Sequence, residues 1–187
     1  MAQPRVRPEA GGPLAIDLLN TTWTGPDGPI DWFDENEAVR AFTATHGHPV
    51  ARAAVRDTRA ALTAARDVVR AVLSAAATRQ VDDKLAALVN DALASARPCV
   101  MIDDDRLVLS TQADAPGAHV GAQAIVDAVR LAAERPGRVR SCDHGACTIW
   151  FVDTSKAGRR RWCSMERCGN RAKAQRHYAR QRDGSAA

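Results

Sequence analysis

Residues 142–182 read CDHGACTIWFVDTSKAGRRRWCSMERCGNRAKAQRHYARQR. This stretch holds four of the chain's five cysteines, set as two C-x4-C pairs, Cys142/Cys147 and Cys163/Cys168. Four thiols in two local pairs make a closed all-cysteine set, the ligand count of a structural zinc site. Each pair closes a small loop, and a bound metal then clips the two loops together. A region this small cannot bury enough surface to fold alone, so metal binding is expected to supply much of its stability. His144 stands inside the first pair and is read as a bystander, since four cysteines already complete the set.

The 15 residues between the pairs, Thr148 to Trp162, suit a β-hairpin. Thr148–Val152 is expected as one strand, Asp153–Gly158 as the turn and Arg160–Trp162 as the second strand. From Ser164 onward a helix is expected. At about 100° per residue it sets Met165, Cys168, Ala172 and Ala179 on one inward face. Arg167, Arg171 and Arg182 form one outward stripe. Lys173, Arg176 and Arg180 form another, with His177 beside it. Arg159, Arg160 and Arg161 add charge from the hairpin. Trp150 and Trp162 are expected to pack over the metal side or against the helix.

Charge is divided unevenly along the chain. Residues 1–134 contain 13 Lys and Arg against 18 Asp and Glu, a net of −5. Residues 135–187 contain 13 against 4, a net of +9. A duplex carries about one negative charge per 1.7 Å of its axis, and a basic end on an acidic body suits such a polyanion. The overall composition, 45% hydrophobic and 26% charged, is that of a globular protein. No secretory signal is visible, and no apolar run approaches the roughly 18 residues of a membrane span. A cytoplasmic location is expected, where clustered cysteines point to metal more than to disulfides.

Upstream, residues 1–12 read as a frayed terminus. Leu14–Thr22 is apolar and short, with Asp17 and Asn20 embedded. Capping or turn bonds to nearby backbone are favoured for both over a ligand site. Gly25–Pro29 reads as a turn. Asp34 stands in capping position for a helix from Glu35 to Phe42, with Glu37 three residues on. That helix is expected to stop at His46-Gly47-His48-Pro49, and the two histidines are read as surface rather than ligands. From Val50 to Ala77 a helical period places Val55, Leu62, Val69 and Leu73 on one stripe. Arg52, Arg56, Arg59, Arg66 and Arg70 lie off it, as a solvated face. Another helix is expected from Asp82 to Arg97, closed by Pro98. Cys99–Ile102 and Leu107–Leu109 then read as a β-hairpin around the aspartates 103–105, with Cys99 a buried small hydrophobe. The three aspartates lack calcium-loop spacing and are read as a turn. A last helix, His119–Glu134, ends at Arg135-Pro136-Gly137, which marks a domain boundary.

Cys163-Ser164-Met165-Glu166-Arg167-Cys168-Gly169-Asn170-Arg171 resembles the CGNR zinc finger, with Asp153-Thr154-Ser155 and Arg159–Cys163 matching as well. Leu14–Thr21 with Asp31-Trp32-Phe33 is similar to the start of the ABATE domain. That resemblance implies a helical N-terminal domain ahead of a DNA-binding finger in a stress-induced bacterial regulator.

The sequence therefore predicts a mainly α protein. Residues 1–135 would form a multihelical domain with a small β-hairpin. Residues 136–187 would form a four-cysteine finger of zinc knuckle, β-hairpin and basic helix. Zn2+ is expected on Cys142, Cys147, Cys163 and Cys168. DNA is expected on Arg159, Arg160, Arg161, Arg167, Arg171, Lys173, Arg176, His177 and Arg180. The N-terminal domain would sense a small-molecule effector or form a homodimer. An RNA-binding role and a protein-interaction role with a structural zinc remain open beside DNA. No nucleophile–base set is found that would make the chain an enzyme.

Overall fold

The computed structural model describes residues 11–103, 105–114 and 117–184; for Asp103, Arg180 and residues 182–184 it describes the backbone alone. The expected frayed terminus lies outside these residues, except Gly11 and Gly12. Their backbone N–H groups donate to Asp17 Oδ1 at 3.1 and 3.2 Å.

The chain opens with α1 (Leu14–Leu19) and a short hairpin, β1 (Thr22–Gly25) and β2 (Gly28–Asp31). A single 3-10 turn, Trp32–Asp34, leads into α2 (Asn36–Thr45). The cap expected of Asp34 is made elsewhere: Asp31 accepts from Phe33 N at 3.0 Å, and α2 begins without a side-chain cap. Asp34 is itself part of the 3-10 turn, too early to cap a helix that starts at residue 36. The helix does stop at His46-Gly47, where Gly47 takes φ +79°.

The long period yields one rod, α3 (Val55–Thr78), after a 3-10 turn at Arg52–Ala54. Val55, Leu62, Val69 and Leu73 are buried as the stripe requires. Arg66 departs from the solvated face expected of it, being only 4% exposed. Its guanidinium grips both carboxylate oxygens of Asp31 and donates to Thr21 Oγ1 at 2.8 Å. The β1–β2 hairpin folds back over α3 and brings Asp31 to it, a contact 35 residues long in sequence.

Next comes α4 (Asp83–Leu93), capped by Asp82, which accepts from Leu85 N at 2.9 Å. It ends earlier than expected, and none of its residues is fully buried. Arg97 and Pro98 lie instead in β3 (Ala96–Asp103), which pairs antiparallel with β4 (Arg106–Ala113). Arg97 serves Asp114 at 2.7 Å rather than a helix end. Asp105 in the turn takes φ +60°, whereas Asp104 lies outside the described residues. Cys99 is half-buried rather than buried, because its hairpin stands at the surface.

α5 (Ala118–Glu134) packs along α3. Gly121 permits the approach: a β-carbon there would lie 3.0 Å from Ala65 Cβ. α1, α2, α3 and α5 thus enclose one core of Ile16, Leu18, Phe33, Phe42, Leu62, Leu73 and Ile125 with their neighbours. Phe33 and Phe42 meet edge to face at 5.3 Å.

Past Pro136-Gly137 the chain forms β5 (Val139–Ser141), paired antiparallel with β6 (Trp150–Val152). This corrects the expected hairpin. The strand at Trp150–Val152 is present, but its partner lies upstream, and Arg160–Trp162 is not a strand. Val139 belongs to the main core, and Trp150 and Val152 pack against it. A π-helical turn, Met165–Gly169, precedes α6 (Asn170–Gly184).

Candidate metal centre and basic surface

The β5–β6 sheet sets the geometry of the cysteines. Cys142 leaves β5 and its N–H donates to Ile149 O at 2.9 Å, which brings the first loop back toward β6. Within that loop Cys147 N donates to His144 O at 2.7 Å, a tight turn that points both thiols inward. The second pair is carried in by Asp143 N to Arg161 O at 2.9 Å and by Cys163 N to Cys142 Sγ at 3.4 Å. Ser164 then caps the π turn, and its carbonyl accepts from both Cys168 N and Gly169 N at 3.0 Å.

The four Sγ atoms lie within 4.8 Å of one another. Cys147 and Cys163 are 3.8 Å apart and Cys163 and Cys168 3.6 Å, so none is disulfide-bonded. A zinc–sulfur distance of about 2.3 Å gives a tetrahedron with edges of about 3.8 Å, and the thiol set fits it. Three of the four cysteines are buried and Cys147 is half-buried. Ile149, Phe151, Trp162 and Trp23 close around them.

The four thiols interact strongly. Cys147 is lowered to about 5, first because the Cys163 thiol donates to it. Cys163 is pushed far up by the same bond and by burial. Burial is the first cause that raises Cys168 to about 11. Negative charge therefore gathers on one sulfur and is resisted on two others. A divalent cation among the four relieves that resistance. His144 is only 8% exposed and its ring nitrogens find no hydrogen-bond partner among the described residues, yet it stands outside the thiol cluster.

Asp153 organises the long connection. Buried, it accepts from Ser155 N at 2.9 Å, Ser155 Oγ at 2.6 Å and Arg160 N at 2.9 Å. These bonds, the Ser155 hydroxyl first, hold its carboxyl at about 2.

The expected basic residues divide into two groups. Arg160 turns inward. Its Nε donates to Trp162 O at 2.8 Å, a second donor reaches Cys163 O, and the guanidinium lies 4.5 Å over the Phe151 ring. It braces the metal loop. Arg161 is exposed but pairs with Asp143 at 2.7 Å and stacks 4.9 Å over Trp162. Arg159, Arg167, Arg171, Lys173, Arg176 and His177 are exposed. The side chain of Arg180, like that of Arg182, lies outside the described residues. The inward face of the last helix is shorter than expected. Cys168 and Ala172 are buried, whereas Met165 is 50% exposed and Ala179 is exposed. The π turn changes the register ahead of α6, so a single 100° wheel does not run through both. Gly169 sits where a β-carbon would meet Trp162 Cδ1 at 3.2 Å, which lets the turn close on the tryptophan.

Two residues of this region carry no mark of their role in the sequence. Trp23, from β1, packs on the cysteine cluster. Asn20 is fully buried, and its side-chain amide pairs with the backbone of Trp150 in both directions, each bond 2.9 Å. The capping role expected of Asn20 is thereby replaced by a tie across 130 residues. Asp17 is bonded to backbone as expected and also lies 3.4 Å from His46 Nε2.

Comparison with known families agrees with this arrangement. Residues 138–181 match the CGNR zinc finger. Residues 12–135 match ABATE, described as "Putative stress-induced transcription regulator". Neither description is that of an enzyme. No curated protein matches the chain. With two thirds of its length inside one family and the four-thiol cluster inside the other match, the chain belongs to the ABATE family and carries a C-terminal CGNR zinc finger.

Proposed function

We propose that the chain is a zinc-dependent DNA-binding transcription regulator of the bacterial cytoplasm. In this reading Cys142, Cys147, Cys163 and Cys168 hold one Zn2+, which serves as a structural cross-link. Residues 1–135 form the sensing or dimerising body and residues 136–187 the finger. The observation that carries the proposal is the junction of Cys168 with α6. The thiol cluster anchors the base of a helix that exposes Arg171, Lys173, Arg176 and His177, with Arg167 in the turn before it. Arg159 and Arg161 extend the basic surface, and Arg180 belongs to the same helix. Arg160 supports the surface from within. A fully thiolate-ligated zinc has no open position for substrate, which favours binding over catalysis.

The test is duplex affinity as a function of salt. Arg171→Ala with Lys173→Ala should weaken binding across sequences alike and lower the salt slope by about 2, roughly one for each phosphate no longer neutralised. Structured RNA is added as competitor in the same assay. No salt-dependent affinity for any duplex would sink the proposal, and preferential capture by RNA would replace DNA as the partner.

A further inference from the structure

A cleft opens where the body meets the finger. It measures about 530 Å3, within the usual range for a small-ligand site. The body lines it with residues of β1 and β2, Asp34 of the 3-10 turn, and Arg70 of α3. The finger lines it with Ser141 at the end of β5, Thr148, and Trp150 at the start of β6.

The walls are fixed from behind. The buried Asn20 amide holds the backbone of Trp150. The buried Arg66 holds Asp31. Trp23 packs against the cysteine cluster. Arg70 is tied to Asp67 at 3.1 Å and to Thr22 Oγ1 at 3.3 Å. The cleft is therefore preformed, and a ligand that enters it needs little further ordering of the protein.

Charge narrows what fits. Asp31 is matched by Arg66, and Arg70 by Asp67. Asp34 is left over. It lines the cleft, caps no helix, and makes no hydrogen bond or ion pair among the described residues. Two indole rings, those of Trp23 and Trp150, are half-buried and line the same cleft. An unmatched carboxylate beside two indole rings favours an organic cation, which aromatic faces attract through their quadrupole. An anion would meet Asp34 without compensation, because Arg70 is already engaged. A bare metal ion would find one free carboxylate, too few ligands to hold it. The hydroxyls of Thr24, Ser141 and Thr148 suit a polar group on the same molecule.

We propose that this cleft binds a small organic ammonium ion, with its charged nitrogen at Asp34 and against the Trp23 and Trp150 rings. The ligand touches the body and, through Thr148, the residue next to Cys147. The proposal rests on the reading of residues 1–135 as a sensing body, and it names the class of molecule sensed.

Choline is the probe, titrated into the full, metal-loaded chain with no nucleic acid present and followed by calorimetry and tryptophan fluorescence. Wild type should bind it saturably. The alcohol 3,3-dimethylbutan-1-ol has the shape of choline without its charge and should bind about tenfold more weakly. Asp34→Asn should weaken choline by about the same factor, with melting and metal content retained, and leave the alcohol unaffected. Asp34→Glu should restore choline binding. Asp57→Asn, on α3 outside the cleft, should bind as wild type does. Should Asp34→Asn fail to fold, the comparison of choline with the alcohol on wild type decides alone. No saturable binding of choline, equal binding of the alcohol, or a folded Asp34→Asn that binds choline as wild type does would overturn the proposal. Duplex affinity with and without choline is measured separately. Choline that binds and leaves it unchanged would keep the site and sink the sensing role.

Discussion

The two halves of this molecule are stabilised by different physics. The N-terminal body buries a core drawn from four helices, with Phe33, Phe42, Leu62, Leu73 and Ile125 among its members. The finger's own cluster contains only Ile149, Phe151 and three buried cysteines, edged by two tryptophans and Cys147. Area burial accounts for the first and is too small for the second. The difference shows in the polar contacts as well. The body uses a part-buried ion pair, Arg66–Asp31, to pin one hairpin to one helix. The finger directs Arg160 and Asp153 at backbone groups of the loops that carry the ligands. One half is held by packing, the other by a point of attachment and the loops that lead to it.

Removing the metal should give the largest effect, since structural zinc supplies on the order of 10 kcal/mol or more to a small finger. A strong chelator, or Cys163→Ser, should cost about one zinc per chain and unfold residues 142–182. Trp150 and Trp162 fluorescence would then shift to the red, while most of the helical signal from α1 to α5 persists. Survival of the finger's fluorescence after complete metal removal would place its stability in packing after all.

The body should answer instead to Arg66→Ala. Losing Arg66 removes the donor to the buried Thr21 hydroxyl and the partner of the part-exposed Asp31, at a cost of about 2 kcal/mol. Denaturant unfolding followed by far-ultraviolet circular dichroism should show the lower midpoint, with metal content unchanged.

Asn20→Ala probes the joint. It strips both bonds from Trp150 and should cost about 1–2 kcal/mol. Its diagnostic effect is on cooperativity: body and finger should melt in two transitions rather than one.

Acid gives the smallest effect, and it enters each half at a different pH. In the body, burial and then His48, whose ring lies 4.2 Å away, lower His119 below its ordinary 6.5. The fold thus favours the neutral ring, and its contribution is complete above pH 6.5 and is lost as pH falls below it. His119→Asn should flatten the body's stability between pH 7 and pH 5. In the finger, Asp153 is held at about 2, so its contribution is complete above its ordinary 3.8 and fades as pH falls toward 2. Asp153→Asn should lower finger stability at neutral pH while removing that acid-side loss.

Much of this contrast is legible in the sequence. The four cysteines declare themselves because ligand chemistry restricts residue type and the short loops restrict spacing. α3 and α5 declare themselves because a buried stripe repeats over several turns. What escapes depends on distant neighbours. Arg66 looks like its solvated neighbours until the β1–β2 hairpin folds Asp31 onto it. Trp23 carries no mark that it reaches the cysteines. The strand opposite Trp150–Val152 is only three residues, Val139–Ser141, whereas Arg160–Trp162 offers an equally short and more aromatic candidate. Met165 falls off the inward face of the last helix because a π turn intervenes, and periodicity assumes an unbroken wheel; Ala179 shares the face of Ala172 but is exposed.

The tie between Asn20 and Trp150 bears on the order of assembly. Asn20 stands at the C-terminal end of α1, and its two partners are the N–H and C=O of a residue 130 positions later. During synthesis α1 is made early, and the Asn20 amide that follows it waits for these partners until β6 has been translated. A body that folds before then folds with one buried polar group still open. Arrival of β6 is thus the step that completes the end of α1, so the helix made early is finished only by a strand made late.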